Sequence, residues 1–286
     1  MPRRTGARLA AGPQAGFSLV ELVVVITLLG VLAGLAATLV GRVASSQQAT
    51  RARLNLALAS DAALAQVADA LATALPNSLR SSSNNAGTWL EWVPVLDAAR
   101  YRAAPDTLAP APGDPLELDN ASDTGFDLLG TPLASNPSGS QIVFNNLGTP
   151  EADAYSGNNR RSPWTLSASG RHVDFTPNGA LPPAAATQRV FVVGTPLTLA
   201  CVAQDNGRFE LRLFSGYGWR ASQPVALTDL AGASSQLLLG GLHHCGASYS
   251  TALANIGLLN LALGLQDADS GTQARFLQQL AVDNTP

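Results

Sequence analysis

Between Phe17 and Val40 the chain reads FSLVELVVVITLLGVLAGLAATLV, 24 residues carrying a single charge, Glu21. As a helix rising 1.5 Å per residue the run extends about 36 Å, enough to cross a hydrocarbon core of roughly 30 Å. Beyond Gly41 the pattern turns amphipathic. Ala57, Leu64, Ala68, Leu71 and Leu75 fall on one helical face, and Pro76 closes the run. The pattern predicts one helix over residues 17–75, apolar all round in its first half and lying along a sheet in its second. A long dimeric coiled coil fits less well, because the face is rich in alanine and the run stops at Pro76.

Past Pro76 the alternation shortens to the period of strands. Trp89–Val95 reads as a strand with an edge or an end at Pro94. Ala103–Pro115 is a Pro/Ala/Asp loop. Short strands are predicted at Phe126–Leu129, Gln141–Asn145, Trp164–Ser167, His172–Phe175 and Arg189–Val193. Leu197–Ala203 and Arg208–Phe214 flank Asn206-Gly207, a hairpin signal, so these two strands should pair. Leu259, Leu261, Leu263 and Leu265 alternate as on a half-buried strand. After a turn at Asp267–Gly271, Ala274–Val282 reads as its returning partner, with a short helix as the alternative. The expected fold is therefore α+β: a long N-terminal helix packed on an antiparallel sheet with long loops. Its divisions fall at 1–16, 17–75 and 76–286.

What precedes the apolar run changes its meaning. Arg3, Arg4 and Arg8 form a basic patch, followed by the small residues Ala15 and Gly16. A secretory signal would place its small-residue site after the apolar stretch. Here the order is reversed, which implies cleavage on the cytoplasmic side with the apolar helix retained, the positive flank staying inside. Glu21 is then a carboxylate inside an apolar helix, at a cost of roughly 2.5–3.5 kcal/mol at mid-membrane, less near the interface. The α-amino group exposed on Phe17 by cleavage after Gly16 is one candidate partner, within the subunit or between neighbours. A carboxylate favoured by the helix N-terminus and reaching toward the interface is the other reading.

Gly16-Phe17-Ser18-Leu19-Val20-Glu21 with its apolar continuation resembles the cleavage and methylation motif of type IV prepilins and type II secretion pseudopilins. The resemblance implies cleavage between Gly16 and Phe17 by a prepilin peptidase, N-methylation of Phe17, and a conserved assembly role for Glu21. It also implies partners: other pilins or pseudopilins, membrane lipid, and, indirectly, an inner-membrane platform protein and an assembly ATPase. The location implied is the bacterial inner membrane, N-terminus cytoplasmic and globular part periplasmic, and then a filament. One departure is the absence of a helix-kinking proline, which leaves Gly30, Gly34 and Gly41 as the weak points. Ala74–Arg80, Leu90–Val95, Cys201–Leu213 and Ala281–Pro286 are further similar to minor pilins of mannose-sensitive haemagglutinin pili. A globular part this large implies a priming or tip subunit more than bulk filament; minor pseudopilins of type II secretion are the alternative.

The remaining chemistry is sparse. The chain carries 17 basic residues, all Arg, against 20 acidic ones; loss of residues 1–16 removes three arginines and takes the net charge from −3 to −6. That balance argues against nucleic-acid binding, which needs a basic face to replace phosphate counterions. Cys201 and Cys245 are the only cysteines, and an even pair in an exported domain points to a disulfide; two buried free thiols are the alternative. His243-His244-Cys245 lacks the further ligands a zinc site needs, and Asp119/Asp123 or Asp267/Asp269 fall short of the oxygens calcium requires. No metal, cofactor or catalytic residue is expected, and no nucleophile elbow or phosphate-binding loop is present. Gly216–Trp219 reads as a turn whose Trp219, if exposed, could stack on a glycan, so a pilus-tip adhesin module is a second functional class. His172 reads as an ordinary strand residue.

Overall fold

The computed structural model describes residue 16 and residues 18–108, 110–183, 186–253, 255–267 and 270–285. Arg3, Arg4, Arg8, Ala15, Phe17 and Asp269 lie outside the described residues. Helix α1 spans Leu19–Ala72. The chain divides into two compact units, one ending at Arg51 and one beginning at Ala52.

In the first unit α1 is uninterrupted through Gly30, Gly34 and Gly41. Apolar side chains from Leu19 to Val43 are exposed all around it, as expected of a segment whose solvent is not water.

In the second unit the last turns of α1 bury Ala52, Ser60, Ala63, Leu64, Val67 and Leu71. This face is rotated slightly from the predicted one, leaving Ala57 and Ala68 half-buried at its margin. The helix stops at Ala72, short of the predicted Leu75, because the following residues are captured by a β-type pairing. Leu75 N–H donates to Val93 O at 2.8 Å, and Val95 N–H donates to Thr73 O at 2.7 Å.

The strands follow in order. They are β1 (Arg80–Asn84), β2 (Gly87–Trp92), β3 (Val95–Tyr101), β4 (Gly125–Leu129) and β5 (Gln141–Phe144). Next come β6 (Arg160–Arg161), β7 (Trp164–Leu166), β8 (His172–Phe175), β9 (Arg189–Val193) and β10 (Leu197–Ala203). The last are β11 (Phe209–Ser215), β12 (Ser234–Leu253), β13 (Ile256–Gln266) and β14 (Gln273–Asp283). They form two antiparallel sheets, ordered β1-β2-β10-β11-β12-β13-β14 and β6-β5-β9-β3-β4-β8-β7.

The first sheet receives α1 on one face. Leu90, Trp92, Leu199, Leu211 and the inward leucines of β13 pack with Leu64, Val67 and Leu71 there. Its opposite face, at Trp89, Ala200, Val202 and Phe214, is covered by Tyr217 and Leu230 from the segment after β11. Strand β2 is thus buried on both faces, which is why Trp89, Leu90, Glu91 and Trp92 are all inaccessible. Pro94 ends β2 rather than marking an edge, and the chain crosses there into β3 of the second sheet. The β10–β11 hairpin forms about Gly207, whose φ of +72° suits glycine. Ala274–Val282 is strand, paired with β13 along its whole length. The second sheet encloses an aromatic cluster in which Phe126 and Phe144 meet edge to face at 5.6 Å.

Candidate functional site

The site begins where α1 does. Gly16 and Ser18 are exposed, α1 starts at Leu19, and Glu21 lies in its first turn, where the N-terminal dipole favours a carboxylate. Leu22 N–H donates to Ser18 O at 3.1 Å, extending the helical bonding back to Ser18. Among the described residues Glu21 has no ion-pair partner.

The apolar span that follows has a mean hydropathy of 2.7 over its most apolar window, none of it buried against the rest of the chain. Its hydroxyls are satisfied locally. Thr27 Oγ1 donates to Val24 O at 2.9 Å and Thr38 Oγ1 to Leu35 O at 2.8 Å. That arrangement lets a threonine sit in hydrocarbon without an orphaned donor. A Cβ added at Gly30, Gly34 or Gly41 would meet nothing within 4 Å.

Residues 12–37 match the prokaryotic N-terminal methylation motif. The match encloses Gly16, Phe17 and Glu21 together with most of the apolar run. No curated protein and no solved structure matches the chain. The methylation motif supports a type IV pilin or pseudopilin-like subunit, a class that is usually structural. It implies processing by a prepilin peptidase, assembly with other pilins and anchoring in a membrane.

The other predicted residues separate into distinct places. Cys201 on β10 and Cys245 on β12 are joined in a disulfide, with Cα atoms 5.7 Å apart. Cys245 is therefore unavailable to the His243–His244 pair, and among the described residues no group of three or more His, Cys, Asp or Glu side chains could hold a metal. Trp219 is half-buried, and part of its ring is already taken. Its ring face lies 3.9 Å under the Arg160 guanidinium, and its edge meets Tyr155 at 6.2 Å.

His172 does more than its strand position suggested. Its Nδ1 is 2.9 Å from Asp127 Oδ1, and its Nε2 is 3.4 Å from Asp174 Oδ1. The Asp127 hydrogen bond, opposed by burial, raises the His172 pKa above its ordinary 6.5. Burial pushes Asp127 up, but the Asp114 N–H and His172 outweigh it and hold the carboxyl below 3.8.

Glu91 escaped sequence reading altogether. It is fully buried on β2, directly opposite Arg80 on β1, whose Nε lies 2.6 Å from Glu91 Oε2. Tyr217 OH donates to Glu91 Oε1 at 2.8 Å and also lies 2.8 Å from Thr198 Oγ1. Burial raises the Glu91 pKa despite Arg80. Arg80 further donates to the carbonyls of Arg220 and Ala221 and sits 3.6 Å over the Tyr155 ring. The group clasps the segment after β11 to the sheet. An acidic residue between two tryptophans in a strand was the available signal.

Proposed function

We propose that this protein is a minor pilin-like subunit of a type IV filament of the mannose-sensitive haemagglutinin type, acting in a priming or tip complex. On this reading a prepilin peptidase cuts between Gly16 and Phe17, Phe17 is N-methylated, and the globular unit lies on the periplasmic side of the inner membrane. An assembly ATPase acting through a platform protein then draws the subunit into the filament by its helix. Glu21 is the assembly charge, paired with the freed α-amino group of Phe17 on a neighbouring subunit. Such a pair would select axial register as well as neutralise charge.

The observation that carries the reading is the methylation motif at the head of an exposed apolar helix. The size of the β-rich unit beyond it supports a minor rather than a bulk subunit. A minor pseudopilin of type II secretion shares these features, and co-purification of neighbouring subunits distinguishes the two. The reading is tested by mass spectrometry of the protein from cells with and without prepilin peptidase. A mature chain beginning at methylated Phe17 only in the former is expected; retention of residues 1–16 in both would overturn it.

A further inference from the structure

At one end of the second sheet, two arginines stand opposite each other on neighbouring strands, with a third close by. Arg189 opens β9, and Arg100, one residue from the end of β3, stands directly opposite it. Arg100 is also opposite Leu129, the last residue of β4. Arg171 immediately precedes β8, where its guanidinium donates to Gly130 O at 2.9 Å. All three arginines are exposed, and none has an ion-pair partner among the described residues. Carboxylates on the same strands are engaged elsewhere: Asp97 accepts from Ala134 N–H, and Asp127 is held by His172 and Asp114 N–H. An open groove of about 450 Å³ is lined by Arg100, Arg189, Leu129, Gly130 and Thr131, and Arg171 touches its rim through the Gly130 carbonyl.

Like charges placed directly opposite on paired strands destabilise a sheet. An uncompensated Arg100–Arg189 pair therefore works against folding unless an anion joins it. A guanidinium is a planar fork that takes a carboxylate by two parallel hydrogen bonds. Adjacent strands are about 4.8 Å apart, so Arg100 and Arg189 offer two such forks side by side. Beside the two arginines the groove is apolar at half-buried Leu129 and exposed Ala98.

We infer that this groove binds an acidic polysaccharide, a polyuronate whose carboxylates engage Arg100 and Arg189 while a sugar ring rests on Leu129. A nucleic acid fits less well, because duplex DNA carries one charge per about 1.7 Å of axis and the groove answers only two of them. The apolar floor also matches a sugar ring and has no role under a phosphate backbone. This site stands apart from Trp219, and its occupancy does not depend on which filament the helix assembles into.

The test uses the full chain in lipid nanodiscs, titrated with a galacturonate hexamer, a neutral maltose hexamer of the same length, and a short DNA duplex. Wild type is expected to bind the galacturonate, with affinity falling as salt is added, and to ignore the neutral sugar. Arg100→Gln and Arg189→Gln should each weaken binding about tenfold, the loss expected of one charge-assisted fork. Arg275→Gln, on the distant β14, should leave it unchanged. The thermal midpoint of Arg100→Gln should equal or exceed that of wild type, since a like-charge pair is relieved. No galacturonate binding by wild type, binding by both arginine variants as tight as that of wild type, or tighter binding of the duplex would each overturn the inference. None of these results bears on cleavage after Gly16, so the assembly reading stands or falls separately.

Discussion

Cys201 and Cys245 are bonded across the width of the intervening strand β11, with their Cα atoms 5.7 Å apart. Two strands separated by a third in a flat sheet would be roughly 9–10 Å apart. The shorter distance is reached because β12 bends. Gly241 takes a φ of +71°, the β11–β12 and β12–β13 ladders both shift register near Leu242, and β12 also comes against β2 and β1. The disulfide fixes the bend over the core that receives α1, where Cys201 and Cys245 pack with Leu64 and Trp92.

The bond closes a loop between residues 44 apart in sequence, worth about 3–4 kcal/mol if its effect is on the unfolded chain. Replacing both cysteines by serine should lower stability by about that amount in urea unfolding, and reductant should do the same to wild type. Gly241→Val should weaken the fold with the cysteines intact, because a branched residue at positive φ is strained. Unfolding midpoints that reductant leaves unmoved would show that the bend is held by packing alone.

Glu91 and Arg80 make a second prediction. With Glu91 fully buried and Arg80 largely so, removing the carboxylate strands a guanidinium and takes one acceptor from Tyr217. Glu91→Ala should cost about 3–5 kcal/mol, and Glu91→Gln less, since an amide oxygen can still accept from Tyr217. Differential scanning calorimetry of the two variants measures the ordering. The reverse order would mean that packing volume, not charge, dominates at this site.

Much of this was legible along the chain, and the failures share a cause. The Leu259–Leu265 alternation and the Asn206-Gly207 turn report on a strand's own faces and its nearest partner, so β10, β11, β13 and β14 could be placed from local signals. Strand β12 could not. Its Leu237-Leu238-Leu239-Gly240-Gly241 stretch breaks the alternation because the strand changes partners there, and Gly-Gly reads locally as a turn. β1, Arg80-Ser-Ser-Ser-Asn84, is polar because it is an edge strand, and nothing apolar marks it. β3 escaped because Pro94 announces a stop but not the restart in another sheet. At the N-terminus the order of basic, small and apolar residues is itself the signal, so the motif was readable without any tertiary contact. The Arg100–Arg189 opposition was invisible because it depends on register between strands far apart in sequence.

The His172–Asp127 pair carries a pH dependence whose sign follows from its shifts. His172 is raised above 6.5, so its contribution is complete below about pH 6.5 and is lost as pH rises through the folded-state value. Asp127 is held below 3.8, so its contribution is present above that pH and is lost as pH falls through its folded-state value. The pair is therefore strongest in mildly acidic solution. Proton NMR titration should find His172 above 6.5, and Asp127→Asn should bring it down toward 6.5, with Asp174 supplying the residue of the shift. A His172 titration unaffected by Asp127→Asn would remove the pair as the cause.

Glu21 separates processing from assembly. It lies one turn into a helix whose neighbouring side chains are apolar and exposed, and no described residue neutralises it. A membrane charge without a partner in its own chain is retained against a cost of roughly 2.5–3.5 kcal/mol near the bilayer centre, less toward the interface. Its removal should therefore hold α1 more firmly in the bilayer. On the proposed reading, Glu21→Ala leaves cleavage after Gly16 intact but lowers the fraction of mature protein found in sheared filaments by at least about tenfold, a change equivalent to ~1.4 kcal/mol. Glu21→Gln should fail similarly, because an amide can hydrogen-bond but cannot neutralise an α-ammonium group. Immunoblots of membrane and filament fractions, with the mature N-terminus verified by mass spectrometry, give both readouts from one culture. Normal filament incorporation of Glu21→Ala would remove the charge pair from the assembly mechanism while leaving the cleavage site in place.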